Sequence, residues 1–271
     1  MQIALPKKVE FQKGDGPNQG NIIIEPCYPG YGITLGNSLR RVMLSSLYGG
    51  APVGVKIKGV DHEFMSLPHL KEDILEFIMN LKQLRLKIHT DETEKIELAV
   101  HGKKVVKASD IKKNSNIEII NSDLVLGEIT DMAGSLEAEI FVRKGMGYET
   151  LESREEKSSE IGYIEMDSIF SPVYNVGIKV DNVRVGKMTN WEKLILDVKT
   201  DGTISPEEAF EKSVEILINQ FNALVKGGEI EAKEEVEEEE KEKIEDKKEE
   251  DSEEAPTEEK KKRGRPKKVE S

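Results

Sequence analysis

The chain has 271 residues, of which 37% are hydrophobic. That is enough for one or two domains with a buried core but low for a chain that is globular throughout. Of the net charge of −13, residues 229–271 carry −7 through 19 Asp/Glu and 12 Lys/Arg, leaving −6 for an acidic soluble body over residues 1–228. A single cysteine, Cys27, excludes an internal disulfide and a Cys-based zinc site and fits a reducing cytoplasm. No run approaches the ~18 apolar residues of a membrane span, and Met1–Pro6 has no signal-peptide pattern, so no membrane partner is expected.

Val9–Gln12 and Asn21–Glu25 read as strands, broken by Pro26, Pro29, Gly30 and Gly32. Thr34 can cap a helix with Leu35, Leu39, Met43 and Leu47 on one stripe, and Gly49-Gly50 stops it. Val53–Ile57 and Val60–Met65 read as short strands. A second helix is predicted over Leu70–Leu81, with Leu70, Ile74, Phe77, Ile78 and Leu81 on one side. Leu84–Ile88, Ile96–Val100, Ile117–Ile120 and Leu136–Val142 alternate with period two, so each buries one face of a sheet. Lys144–Glu160 is rich in Gly, Ser and charge and reads as a loop; strands return at Val176–Val180 and Lys193–Val198.

The last element is the best-specified helix. Ser205 suits the N-cap, Pro206 the first helical position, and Glu208 completes a capping box. Phe210, Val214, Leu217, Phe221 and Leu224 form a heptad-like seam, ended by Gly227-Gly228. That seam fits a helix on its own sheet or a partner helix across a dimer axis, and spacing alone leaves both open. The fold class is α+β, with helices toward both ends and a β-rich middle.

No catalytic constellation stands out. His62, His69, His89 and His101 form no His-x-x-x-His pair, and no tight carboxylate cluster suits two-metal nucleotidyl transfer. Lys144–Tyr148 is glycine-rich but lacks the Lys-Ser/Thr ending of a phosphate-binding loop. Cys27, beside Pro26, reads as packed rather than nucleophilic. No cofactor or metal is expected in this chain.

Gly30-Tyr31-Gly32-Ile33-Thr34-Leu35-Gly36-Asn37-Ser38-Leu39-Arg40-Arg41-Val42-Met43-Leu44-Ser45-Ser46-Leu47 resembles a segment of the RNA polymerase α subunit of bacteria. Further segments resemble that family in order: Gly59–Phe64, Lys71–Lys82, Lys144–Tyr148, Ser171–Val173 and Leu194–Glu208. The resemblance implies a discontinuous dimerisation domain (1–49 and 169–228) with two main helices and a sheet, and an inserted β-rich domain (50–168). It implies a non-catalytic homodimer on which the β and β′ subunits assemble for transcription of DNA. The dimer interface would then use Leu35, Leu39, Met43, Leu47, Phe210, Val214, Leu217, Phe221 and Leu224. Arg41, Leu44 and Glu76 would contact β; Lys82, Met166 and Val173 would contact β′, with Met166 standing where the family usually has Val. Arg41 lies off the apolar stripe, where a planar guanidinium can recognise carboxylates or carbonyls.

The resemblance ends at Gly228, where the family usually continues into a small helical DNA-binding domain. Residues 229–271 have too little apolar content to offset ordering entropy and are expected to be disordered. Within the basic end Lys260–Lys268, Arg263-Gly264-Arg265-Pro266 resembles an AT-hook, an extended core that lays arginines into a narrow A·T minor groove. The tail is read either as a contact to A·T-rich promoter DNA upstream or as a solubilising polyampholyte whose basic end pairs with its own acidic run. An architectural DNA-binding protein acting through this tail is the alternative, though the acidic body disfavours general duplex binding.

Overall fold

A computed structural model describes residues 3–154 and 162–225. In chain order the elements are β1 (Lys8–Lys13), β2 (Gln19–Cys27), α1 (Tyr31–Ser45), β3 (Tyr48–Ile57), α2 (Ile74–Leu81), β4 (Leu86–Ile88), β5 (Glu94–His101), β6 (Lys104–Lys107), β7 (Ile117–Ile119), β8 (Val125–Ile129), β9 (Ser135–Met146), β10 (Tyr148–Glu149), β11 (Tyr163–Glu165), β12 (Ser168–Ile169), β13 (Val173–Val185), β14 (Met188–Thr200) and α3 (Pro206–Val225). The α+β class is confirmed.

A four-stranded sheet has the order β1-β2-β14-β13. Its register places Ile22, Leu196 and Ile178 side by side, and Ile24, Leu194 and Val180 in the next row. Such rows of branched side chains are the unit of sheet stabilisation. Together with Leu39, Met43, Leu47, Val173 and Phe210 they form one hydrophobic core. Helix α1 lies on this sheet at close range because Gly32 and Gly36 face it. A Cβ at Gly36 would stand 3.0 Å from Leu194 Cδ1 and 3.1 Å from Ile178 Cγ2.

A second core is drawn from residues 55–166, with Phe77, Leu81, Leu126, Leu136 and Ile140 among its fully buried members. Its sheet has the order β5-β9-β3-β4-β7, with β11 also on β3. α2 covers this core through Ile74, Phe77, Ile78 and Leu81, the face its apolar spacing predicts. The chain passes between the two cores at Leu47–Tyr48 and returns at Phe170–Val173, where Ser171 Oγ donates to the Leu44 carbonyl at 3.1 Å.

Several local expectations are corrected. Thr34 is not the cap of α1. The N-cap is Gly30 at φ 85°, and Thr34 Oγ1 donates back to the Gly30 carbonyl from inside the helix. Gly49-Gly50 does not end α1, which stops at Ser45; both glycines lie in β3. They are needed there by close approach: a Cβ on Gly50 would meet the Leu86 carbonyl oxygen at 2.7 Å, and one on Gly49 would clash with that of Phe170. Val60–Met65 is a series of turns rather than a strand, begun by Gly59 at φ 82°. α2 starts at Ile74, capped by Asp73 Oδ1 accepting from the Glu76 N–H at 2.8 Å. Leu70 instead bridges to Ile129. Lys144–Met146 and Tyr148–Glu149 are strand rather than loop, with a bend at Gly147, because β9 continues to Met146 opposite Tyr48 and β10 pairs with β12. The predicted cap of α3 holds, with the Glu208 N–H donating to Ser205 Oγ at 3.1 Å. Gly227-Gly228 and the tail 229–271 lie outside the described residues.

Candidate assembly surface

On α1 the apolar stripe packs on the protomer's own sheet. Leu39, Met43 and Leu47 are buried and Leu35 is half-buried against the same core. These expected dimer residues thus pack against the sheet of their own protomer. The reason is the Gly32/Gly36 approach, which draws the stripe onto the sheet. Arg41 is exposed, and among the described residues no carboxylate lies within ion-pair distance of it. Leu44 is half-buried, packed against the first core. Arg41 is thus the more available of the two.

On α2, Glu76 is exposed in the first turn, with Leu75 and Met79 also exposed beside it. Lys82 follows the helix, and its Nζ stands 3.4 Å from Asp167 Oδ2. Asp167 also accepts the Leu151 N–H at 2.9 Å. That hydrogen bond first, and Lys82 second, hold its carboxyl below the usual aspartate range against the opposing effect of burial. Met166 and Val173 are 2% and 3% exposed. Met166 belongs to the second core and Val173 to the first. Both side chains point into cores within the protomer.

α3 divides along its seam. Phe210 is buried, edge-on to Phe11 at 5.9 Å, and Val214 and Leu217 are half-buried against the first core. Farther along, Ile218, Phe221, Leu224 and Val225 are 52%, 58%, 78% and 85% exposed. An exposed apolar run of this size on a helix end is uncommon on a free surface. Of the expected interface residues, Phe221 and Leu224 are therefore the ones left open.

Three groups were not found by sequence reasoning. Glu192, on β14, accepts the Gly30 N–H at 2.7 Å and the Gly32 N–H at 2.8 Å, so its carboxylate caps α1 from another element. Arg85 is 8% exposed. It lies between Leu84 and Leu86, which face the second core, so alternation reads it as solvated; Tyr174 covers it instead, with Nε donating to the tyrosine Oη at 3.0 Å. Arg154 donates to the Val53 and Met166 carbonyls, each at 2.8 Å, and pairs with Glu149 at 3.1 Å. Only Arg85 lies in a stretch that reads as a strand; Arg154 falls in the segment read as a loop and Glu192 just before a predicted strand.

Cys27 is buried, and burial pushes its thiol above the usual range. Among the described residues, no group of three His, Cys, Asp or Glu is placed to hold a metal. An open cleft over β3, β5 and β9 is lined by charges, with Lys58 bound to Glu137 and Lys112 to Glu97. No described helix is long and apolar enough to cross a membrane. The tail residues Arg263, Gly264, Arg265 and Pro266 lie outside the described residues.

The family model described as the RNA polymerase Rpb3/RpoA insert domain matches residues 55–171. A DNA-directed RNA polymerase subunit alpha from Heliobacterium modesticaldum is 41% identical over 242 residues, covering 88% of this chain and 76% of the relative. That of Carboxydothermus hydrogenoformans is 43% identical over 225 residues, 83% and 71% of the two chains. That of Nitratidesulfovibrio vulgaris is 45% identical over 206 residues, 76% of this chain but only 59% of the relative's length.

Proposed function

The chain belongs to the family of DNA-directed RNA polymerase α subunits, and from that premise we propose that it is a non-catalytic assembly subunit. It homodimerises and holds the β and β′ subunits of a polymerase whose nucleotidyl transfer is carried out elsewhere in the complex. The discontinuous dimerisation domain is residues 1–49 and 169–228, with residues 50–168 inserted. The observation that carries the reading is the end of α3, where Ile218, Phe221, Leu224 and Val225 are apolar side chains more than half exposed among the described residues. A second copy is the economical cover, since two such helix ends meet symmetrically across a two-fold axis and make a core-like interface. Leu224→Glu should yield a folded monomer in light scattering at concentrations where the wild type is a dimer. A variant that remains dimeric refutes this assignment.

Arg41, exposed and without a carboxylate partner among the described residues, is the proposed contact to β, together with Leu44 on the same helix and Glu76 on α2. Lys82 is the proposed contact to β′. Arg41→Ala should leave the dimer intact and reduce capture of β; a truncated interface arginine costs about 2–5 kcal/mol. For the tail, the reading is weak, salt-sensitive contact of Arg263-Gly264-Arg265-Pro266 with A·T-rich DNA upstream of the promoter. Footprinting with and without residues 260–268 tests it, and identical protection of A·T-rich promoters overturns it.

A further inference from the structure

Arg85 is a cation in an unusual place. It is 8% exposed, yet among the described residues no carboxylate lies within ion-pair distance of it. A guanidinium removed from water is costly unless its charge and its five N–H donors are matched. Within the protomer the match is partial. Nε donates to Tyr174 Oη at 3.0 Å, Nη1 reaches the Ile169 carbonyl at 3.4 Å, and the group stands 5.1 Å from the Tyr174 ring centroid. The two carboxylates of this junction are already held, Asp167 by Lys82 and the Leu151 N–H, Glu149 by Arg143 and Arg154.

The second terminal nitrogen, Nη2, has no hydrogen bond to a described residue. No described side-chain nitrogen or oxygen is both fully buried and unpartnered, so Nη2 keeps some contact with solvent. Both residues that bond the guanidinium are themselves exposed. Tyr174 is 52% exposed and Ile169 is 40% exposed. Tyr148, which pairs with Ile169 between β10 and β12, is 61% exposed. Tyrosine and arginine are the residue types that dominate binding hot spots, where exclusion of water strengthens a charge pair.

We propose that Arg85, held by Tyr174 and the Ile169 carbonyl, is a receptor for an Asp or Glu carboxylate of another polymerase subunit. The inference rests on the assembly reading above. A side-chain carboxylate fits better than a phosphate backbone. The site offers one recessed guanidinium beside a tyrosine rather than a basic stripe, and residues 1–228 carry a net charge of −6 that repels nucleic acid. Val173 lies buried next to it, so at this place on the chain the surface available to a partner is that of Tyr174 and Arg85.

The test uses the full chain, reconstituted with the β and β′ subunits. Retention of both is measured against rising NaCl, alongside thermal unfolding of the free chain. Arg85→Met should weaken capture of a large subunit by roughly 30-fold or more and leave the unfolding temperature of the free chain at or above that of the wild type. Arg85→Lys, a point charge without the planar fork, should fall between them. Tyr174→Phe, which keeps the ring and the guanidinium, should capture both subunits nearly as the wild type does. Three outcomes overturn the proposal. One is Arg85→Met capturing both subunits at wild-type strength. Another is a loss of capture matched by a fall in unfolding temperature that Tyr174→Phe shares, which makes Arg85 a strut between the cores. The third is intact subunit capture with weakened retention of promoter DNA, which makes the site a phosphate receptor. A wild-type chain that captures neither large subunit overturns the assembly reading itself, and the inference with it.

Discussion

The Glu192 carboxylate is the most direct test of how α1 is held. The first N–H groups of any helix lack intrahelical partners and carry the positive end of the helix dipole. At α1 the cap residue is Gly30, which has no side chain to meet them. Glu192 meets two of them, Gly30 N–H at 2.7 Å and Gly32 N–H at 2.8 Å, with a negative charge. Loss of a cap is typically worth about 1 kcal/mol, and a carboxylate at a helix N-terminus about 0.3–1 kcal/mol more. Because the site is half-exposed and water can replace part of the contact, Glu192→Ala should cost about 1 kcal/mol. Thermal unfolding followed by circular dichroism should then fall by about 2–4 °C. Amide exchange at Gly32 should accelerate by about 5-fold, the equivalent of 1 kcal/mol. Glu192→Gln, which keeps one acceptor and no charge, should lose about half as much. A Glu192→Ala chain within about 0.5 kcal/mol of the wild type, a change typical of any surface site, would refute the cap as a determinant of α1.

Gly49→Ala should destabilise the chain by about 1–3 kcal/mol or more, since its Cβ would be driven into the backbone oxygen of Phe170 rather than a movable side chain; denaturant titration checks this, and a neutral result would mean the crossing between the cores can open freely. Asp167→Asn should lower stability at neutral pH, because the folded state holds this carboxyl below its ordinary value. The sign follows from linkage: the contribution is complete above the unfolded pKa of about 3.9 and fades as pH falls through the lower folded value. Wild type and variant should therefore converge in urea titrations as pH falls below the folded value; a gap that stays constant with pH contradicts the assignment.

Much of the fold was legible because local pattern and burial agreed. The alternation in Ile96–Val100 and Leu136–Val142 places Ile96, Leu98, Leu136 and Ile140 in the second core. Ser205 and Pro206 start α3 where the capping chemistry requires it. Where glycine was read, the reading went astray, since a Gly-Gly pair signals either a helix stop or backbones in close approach, and β3 uses it for the second. The same ambiguity affected the apolar stripes. Leu39 and Met43 carry the spacing of an interface helix, but that spacing is equally that of a helix on its own sheet, and Gly32 and Gly36 bring the sheet within contact.

By itself the sequence determined the family, the α+β class, the phase of most strands and the exposed position of Arg41. These depend on residue order and on periodicities that neighbours in the chain already fix. Only the tertiary structure decided that the α1 stripe is covered while Phe221 and Leu224 are open. It alone placed Glu192 at the N-terminus of α1, 160 residues away in sequence from Gly32. It alone set Arg85 under Tyr174, at a separation of 89 residues. The physical reason is common to all three. Spacing tells which side chains share a face, but what covers that face is set by long-range packing, and no local pattern records which distant residue arrives there.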